Sequence, residues 1–165
     1  MSPSTLQVAT PSDTTIVMTR AFRAPRKLVW EAMTSPMMLP RWLFAPPGWK
    51  MTTCVGEPKV NGSYRWAWSD ESGNEALVIH GIYKEVVPPE RIVHTETMEM
   101  SGCGQAGTLL ATLELTESDG ITHMKMTLSF DNKQARDGAL ASGMEHGMEA
   151  GYKQLDGLLG KGVAV

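Results

Sequence analysis

The sequence predicts an α+β fold: a curved antiparallel sheet of six to seven strands wrapped around one long C-terminal helix, with two short helices after the first strand. Three observations carry this. Between residues 49 and 130 the chain reads as consecutive short β segments joined by turn signals. From 133 to 159 it carries one long helical pattern, and no other stretch is long enough for another such helix. Ala24-Pro25 and Ser35-Pro36 each open a short helical pattern directly after the first strand.

Taken in order, residues 1–13 are polar and rich in Pro, Ser and Thr, the composition of a disordered tail, which sets a single domain at 14–160. Residues 14–22 alternate and are β-branched, so they read as a strand. Leu28, Val29, Ala32 and Met33 give the first short helix its buried side. Pro40 limits the second to one or two turns, ending near Trp42 and Phe44. Strands are expected at 49–55, 63–69, 75–86, 91–98, 108–117 and 121–130, the last two joined at Ser118-Asp119-Gly120. Asp131 is the expected cap of the long helix. That helix carries Leu140, Met144, Met148, Tyr152, Leu155 and Leu159 on one apolar face. Beside them run Gly143, Gly147 and Gly151. Glycine in a helix costs about 1 kcal/mol against alanine. Three on one side therefore imply space, for a close neighbour or for something other than protein. We expect a cavity between helix and sheet.

The turn lengths predict the sheet's inner face. A five-residue loop at 70–74 sets Ser69 opposite Glu75, hence Tyr64 opposite His80 and Trp66 opposite Val78. A four-residue loop at 87–90 sets Val86 opposite Arg91. One face then carries Tyr64, Trp66, Trp68, Val78, His80, Ile82, Val93 and Thr95. The other carries Arg65, Leu77, Ile79, Tyr83, Glu85, His94 and Glu96. Burying Arg65, Glu85 and Glu96 together is costly, so the first face is expected inside. A single bulge reverses such assignments locally.

Composition narrows the function classes. The chain has 165 residues, 42% hydrophobic and 20% charged, as in an ordinary globular protein. Its net charge of −3 argues against a nucleic-acid partner, which calls for a basic surface. No apolar run approaches the ~20 residues of a membrane span. The first residues lack the pattern of a signal peptide. Cys54 and Cys103, with no export signal, read as free thiols of a cytoplasmic protein, a lone disulfide being the other possibility. His80, His94, His123 and His146 show no HxH or HExxH spacing, and neither a metal nor an organic cofactor is expected. No GxSxG elbow or phosphate-cradling loop is present. Cys103 sits in a glycine-rich loop with nothing basic near it, the setting of an inert thiol.

The candidate site residues follow from the expected inner face. Trp42, Tyr64, Trp66 and Trp68 would form either an aromatic platform or plain core packing, with Val78, His80, Thr95, Met144, Met148 and Tyr152 around them, the two methionines otherwise being helix core. His80 would be the polar group that orients a ligand or moves a proton, unless it is a core histidine satisfied by Tyr64 or a backbone carbonyl. His94 and Glu96, two apart on a strand, would form a carboxylate–imidazole pair, which read plainly is a solvated sheet surface. Tyr83 would join them. Glu145 and His146 should face solvent.

Several blocks of this chain resemble a known family: RAFRAPRKLVWEAMTSP at 20–36, RW at 41–42, GIYKEVVPPERIVHTE at 81–96 and ARDGALASGMEHGMEAGYKQLDGLL at 135–159. They are similar to proteins named as homologues of an activator of a heat-shock chaperone ATPase. That family belongs to the START-like superfamily, also called SRPBCC or polyketide cyclase-like. The resemblance implies the helix-grip fold. Val60-Asn61-Gly62 departs from the family's usual double glycine, at a turn. The superfamily includes carriers, allergens, polyketide cyclases and dehydratases, and oxygenase domains, and it transfers no catalytic motif. A name taken from a co-chaperone does not carry chaperone activation or a stress-response role over by itself.

Three functions follow as expectations. The first is binding of a small hydrophobic molecule in the cavity, driven by apolar burial at about 25 cal/mol per Å². The second is a cyclase or hydratase using the same cavity, with His80 or the His94/Glu96 pair moving protons. The third is a regulator that contacts a chaperone through its surface. A homodimer is compatible with each.

Overall fold

The computed structural model describes residues 3–102 and 104–160. Eight antiparallel strands form one curved, open sheet. They are β1 (Gln7–Ser12), β2 (Thr15–Phe22), β3 (Lys50–Gly56), β4 (Ser63–Ser69), β5 (Glu75–Val87), β6 (Arg91–Met100), β7 (Gly104–Ser118) and β8 (Ile121–Ser129). Their order across the sheet is β1-β2-β8-β7-β6-β5-β4-β3. Helix α1 (Arg26–Thr34) and a 3-10 turn at Leu39–Arg41 follow β2. Two C-terminal helices, α2 (Lys133–Ala141) and α3 (Met144–Gly160), close the chain. This is the α+β helix-grip architecture.

Three elements differ from the sequence reading. Gln7–Ser12 is an edge strand on β2, not part of a loose tail. Its approach is pinned further back: the Ala21 N–H donates to Pro3 O at 2.7 Å, and the Leu6 N–H to Glu149 Oε1 at 3.3 Å. The single long helix is broken at Ser142-Gly143, where Gly143 adopts φ +80°, a conformation glycine reaches without steric cost. The cap is Asn132, whose side chain accepts from the Ala135 N–H at 2.8 Å, rather than Asp131.

The register of β4 on β5 also differs. Ser69 does pair with Glu75, but Trp68 pairs with Leu77, so Ala76 is an extra, unpaired residue. Every pair beyond it moves by one: Trp66 faces Ile79, Arg65 faces His80, and Tyr64 faces Gly81. Between β5 and β6 Val87, not Val86, pairs with Arg91, and a second irregularity near Lys84 compensates, leaving His80 opposite Thr97. The inner face therefore combines Tyr64, Trp66 and Trp68 with Leu77, Ile79, Tyr83, His94 and Glu96.

α3 is fastened to β2 by a buried charge cluster. Arg20 is 1% exposed. Its Nε donates to Glu149 Oε1 at 2.7 Å, and its terminal nitrogens donate to Asp156 at 2.9 and 2.8 Å. Burial alone would lower its pKa, but these two carboxylates outweigh that and raise it. The guanidinium also lies 4.9 Å from the Phe22 ring centroid and 5.7 Å from that of Tyr152.

Two of the three helix glycines admit a neighbour. A Cβ on Gly151 would lie 3.1 Å from Trp42 O and 3.3 Å from Phe44 N, and one on Gly147 would lie 3.4 Å from the Phe44 ring. The segment after the 3-10 turn packs against α3 there. Gly157, on the same helix, has nothing within 4 Å of such a Cβ. Alanine at Gly157 should therefore add about 0.5–1 kcal/mol of stability. Alanine at Gly151 should lower stability by about 1 kcal/mol or more, because backbone atoms must move to admit the methyl. Urea unfolding of both variants checks this; a gain at Gly151 equal to that at Gly157 would contradict the close approach.

Candidate ligand-binding site

Between the sheet and the helices lies a pocket of about 350 Å³. Its sheet side is built from Tyr64, Trp66 and Trp68 on β4, Leu77, Ile79 and Tyr83 on β5, Ile92, His94, Glu96 and Met98 on β6, Ala111 and Leu113 on β7, and Met126 and Leu128 on β8. The facing side is Met33, Leu39, Trp42, Leu43 and Phe44 together with Met144, Gly147, Met148, Gly151 and Tyr152. Phe44 and Met98 are exposed and mark its open side.

Most of the aromatic wall residues are held by hydrogen bonds or ring contacts. The Trp42 indole N–H donates to Ala32 O at 2.8 Å, and the ring stacks on Tyr152 at 5.7 Å. Tyr152 in turn meets Phe22 edge-on at 5.5 Å. Tyr64 stands opposite Gly81, where there is no side chain to block it. A Cβ on Gly81 would lie 2.9 Å from Tyr64 Cε1. The phenol therefore crosses over β5 and donates to Thr95 O on β6 at 2.7 Å. Its ring packs with Trp66 at 5.0 Å, Tyr83 at 5.4 Å and His94 at 5.3 Å. The Trp68 indole nitrogen is buried and has no hydrogen-bond partner among the described residues.

Burial keeps the phenols and the imidazole of the pocket uncharged near neutral pH. Burial pushes the Tyr83 phenol up to about 12, and raises those of Tyr64 and Tyr152 further. Burial also lowers the His94 pKa below 6.5, partly opposed by a hydrogen bond to Thr95 O, so the ring is neutral. His94 Nδ1 lies 3.2 Å from Thr95 O and 3.1 Å from Tyr64 Oη. Because the tyrosine gives its own proton to that carbonyl, both contacts assign the imidazole proton to Nδ1. Nε2 then remains as an acceptor, with no hydrogen-bond partner among the described residues.

Glu96 is the one acidic side chain that lines the pocket among the described residues. It is half-buried and lines the pocket, and no hydrogen bond to its carboxyl occurs among the described residues. Burial alone pushes it up to about 7. It is therefore close to half protonated at neutral pH, as a carboxyl in an apolar cavity must be unless a cation meets it.

Of the residues expected at the site, Trp42, Tyr64, Trp66, Trp68, Met144, Met148 and Tyr152 line the pocket. Val78, His80 and Thr95 do not. The Ala76 bulge turns Val78 and His80 to the other face, where His80 Nε2 lies 3.1 Å from Glu99 Oε2 at the surface. Thr95 Oγ1 accepts the Ile82 N–H at 2.9 Å. Conversely His94, Glu96 and Tyr83, read as a solvated surface, face inward. The three charges thought too costly to bury together are in fact separated. Arg65 pairs with Glu75 and Glu85 with Arg91, both half-exposed, and Glu96 alone goes inside. Leu77, Ile79, Leu113 and Met126 were missed. The half-buried Cys54 has its pKa raised by burial and is an unreactive thiol. Cys103, and with it any Cys54–Cys103 link, lies outside the described residues. Among the described residues no cluster of metal-ligating side chains occurs, and no helix is long and apolar enough to cross a membrane.

Because Glu96 holds its proton more tightly folded than its ordinary value of 4.5, the folded state binds more protons between about 4.5 and 7. Stability should therefore fall as pH rises through that window, and level off above it. One pKa unit is about 1.4 kcal/mol, and allowing for water in the pocket we expect on the order of 2 kcal/mol. Glu96→Gln should abolish this slope, leaving the variant more stable than wild type at pH 8 and equal to it near pH 4.5. Urea midpoints at both pH values decide this; parallel wild-type and variant curves would place Glu96 in water.

The comparisons with known proteins agree with this geometry. A crystal structure of a Rhodobacter sphaeroides protein is 36% identical, with a TM-score of 0.87 over 95% of this chain and 99% of that one. A Mycobacterium smegmatis protein has the same fold at 20% identity, with a TM-score of 0.79 over 93% and 95% of the two chains. A solution structure from Arthrobacter aurescens is 21% identical, with a TM-score of 0.78 over 95% and 92%. No curated protein matches the sequence. The family described as Activator of Hsp90 ATPase homolog 1-like protein matches residues 23–160, most of the chain. The chain belongs to that family, within the START-like (SRPBCC) superfamily.

Proposed function

We propose that this protein binds a small hydrophobic molecule in the pocket between its sheet and its helices, in the cytoplasm. One observation carries the reading: an aromatic and methionine-lined space of about 350 Å³ that the protein's own side chains do not fill. Ligand sites are typically apolar pockets of about 300–1,000 Å³ with a few placed polar groups. At about 30 Å³ per water-sized group, this one has room for roughly a dozen heavy atoms. Met144 and Met148 are soft side chains that adapt to an occupant's shape. A compact neutral aromatic of this size, 2-naphthylmethanol, should bind and raise the melting temperature. Ala111→Phe, which pushes a ring into the empty space, should weaken that binding at least tenfold without lowering stability. Calorimetric titration and thermal unfolding read the two effects. Absence of binding to the wild-type protein would count against the reading.

A second reading is supported by Glu96 and His94 specifically. A half-protonated carboxyl and a neutral imidazole with a free acceptor stand two residues apart on one strand face, about 6.6 Å. That spacing suits a hydratase or cyclase in which Glu96 donates a proton to substrate carbon while His94 Nε2 takes one from water or a substrate C–H. Turnover of a cyclic enone to its hydrated product is the assay. A His94→Ala, Glu96→Gln double variant should lose about 10²-fold or more in rate, and an unchanged rate would remove this reading.

A further inference from the structure

The pocket's charge pattern restricts the chemistry of its occupant. Glu96 is its acidic side chain, and no lysine or arginine lines it among the described residues. Its carboxyl has no hydrogen-bond partner among the described residues, and the pocket it shares is lined by the rings of Trp42, Tyr64, Trp66, Tyr83 and Tyr152. A cation over aromatic faces gains from the ring quadrupoles, and gains more when desolvated. A lone buried carboxylate supplies the counter-charge such a cation needs. A carboxylate ligand meets the opposite situation: a second negative charge in an apolar space, with no basic group to hold it. Tyr64 Oη and His94 Nδ1 are already committed to Thr95 O.

We propose that the ligand of this pocket is a hydrophobic amine, whose apolar body fills the aromatic space and whose ammonium group pairs with Glu96. The inference rests on the pocket being a ligand site at all. It excludes fatty acids and other apolar carboxylates as preferred occupants.

The pairing makes binding depend on pH. The titratable groups that line the pocket with Glu96 are Tyr64 on β4, Tyr83 on β5, His94 on β6 and Tyr152 on α3; β7, β8, α1 and the segment 39–44 contribute only apolar lining among the described residues. The three phenols are neutral throughout the accessible range, and His94 is neutral above its lowered pKa. Arg20 and Glu149 lie behind Tyr152 and are paired with each other. Glu96 is thus the group that titrates between pH 6 and 8, and its ionised form binds the ammonium. Affinity for an amine should rise with pH and flatten once Glu96 is ionised.

The test compares three probes on one frame: 2-naphthylmethylamine, 2-naphthylmethanol and 2-naphthoate, titrated calorimetrically into the full chain. At pH 8 the amine should bind at least tenfold tighter than the alcohol, and the acid most weakly. Between pH 8 and 6 amine affinity should fall severalfold while alcohol affinity stays level, a comparison that needs no variant. In Glu96→Gln, checked for folding by thermal unfolding, the amine-to-alcohol ratio should fall to about one. Alcohol binding with no amine preference, or tightest binding of the acid, overturns the amine assignment and leaves the pocket reading standing. No binding of any probe overturns both.

Discussion

One unpaired residue decides what this protein's interior contains. Ala76 stands in β5 without a partner on β4, so the whole of β5 and its neighbours beyond it are shifted by one position against β4. Side chains alternate across a sheet, so a one-residue shift changes which face each of them meets. With the shift, the rings of β4 share their side with Glu96 and His94. Without it they would share it with His80 and Thr95. The opposing glycine at position 81 belongs to the same arrangement, because only there can the Tyr64 phenol pass across β5 to reach the backbone of β6. Bulges are designed features of sheets rather than defects, and this one carries the polar content of the pocket.

The molecule treats its two interior acids in opposite ways. Glu149 meets a buried guanidinium, which Asp156 also grips, and the trio ties α3 to β2. Asp156 is partly solvated, so its share of that fastening is modest. Glu96 meets nothing of the sort, and holds its proton instead. A buried carboxylate paired with a guanidinium is architecture, even though Glu149 Oε2 has no hydrogen-bond partner among the described residues; one with no cation beside it that opens onto empty space is a candidate for function. Pocket, aromatic walls and acid lie under α3, and the clamp on the far side of Tyr152 keeps that roof in place. The break at Gly143 separates α2 from α3, and Met144 and Met148 in the first turns of α3 line the pocket.

Much of this was legible in the residues, for physical reasons that can be named. Alternation and turn residues set nearly every strand, and Ser63–Ser69 was placed to the residue. The apolar stripe of the C-terminal helix gave Met144, Met148 and Tyr152 their positions in the wall. Edge strand β1 was hidden because Gln7–Ser12 has the polar composition of a tail and gains its order from backbone pairing with β2. The helix break was hidden because a glycine at helical spacing does not announce its φ. The glycine stripe signalled space correctly, but at 147 and 151 the space admits Trp42 and Phe44 as neighbours. The largest error, taking His80 for His94 and Glu96, follows from one residue of register. Loop length predicted the Ser69–Glu75 pair correctly, and nothing in the composition of Ala76 marks it as extra.

The central claim is that Glu96 stands in an apolar enclosure under α3 with no cation of the protein's own beside it. The most direct measurement is a carbon-detected NMR titration of the Glu96 side-chain carboxyl in the ligand-free protein. The account predicts a midpoint near 7. A midpoint near the ordinary 4.5 would mean that the carboxyl is solvated or paired, and the pocket chemistry built on it would fall.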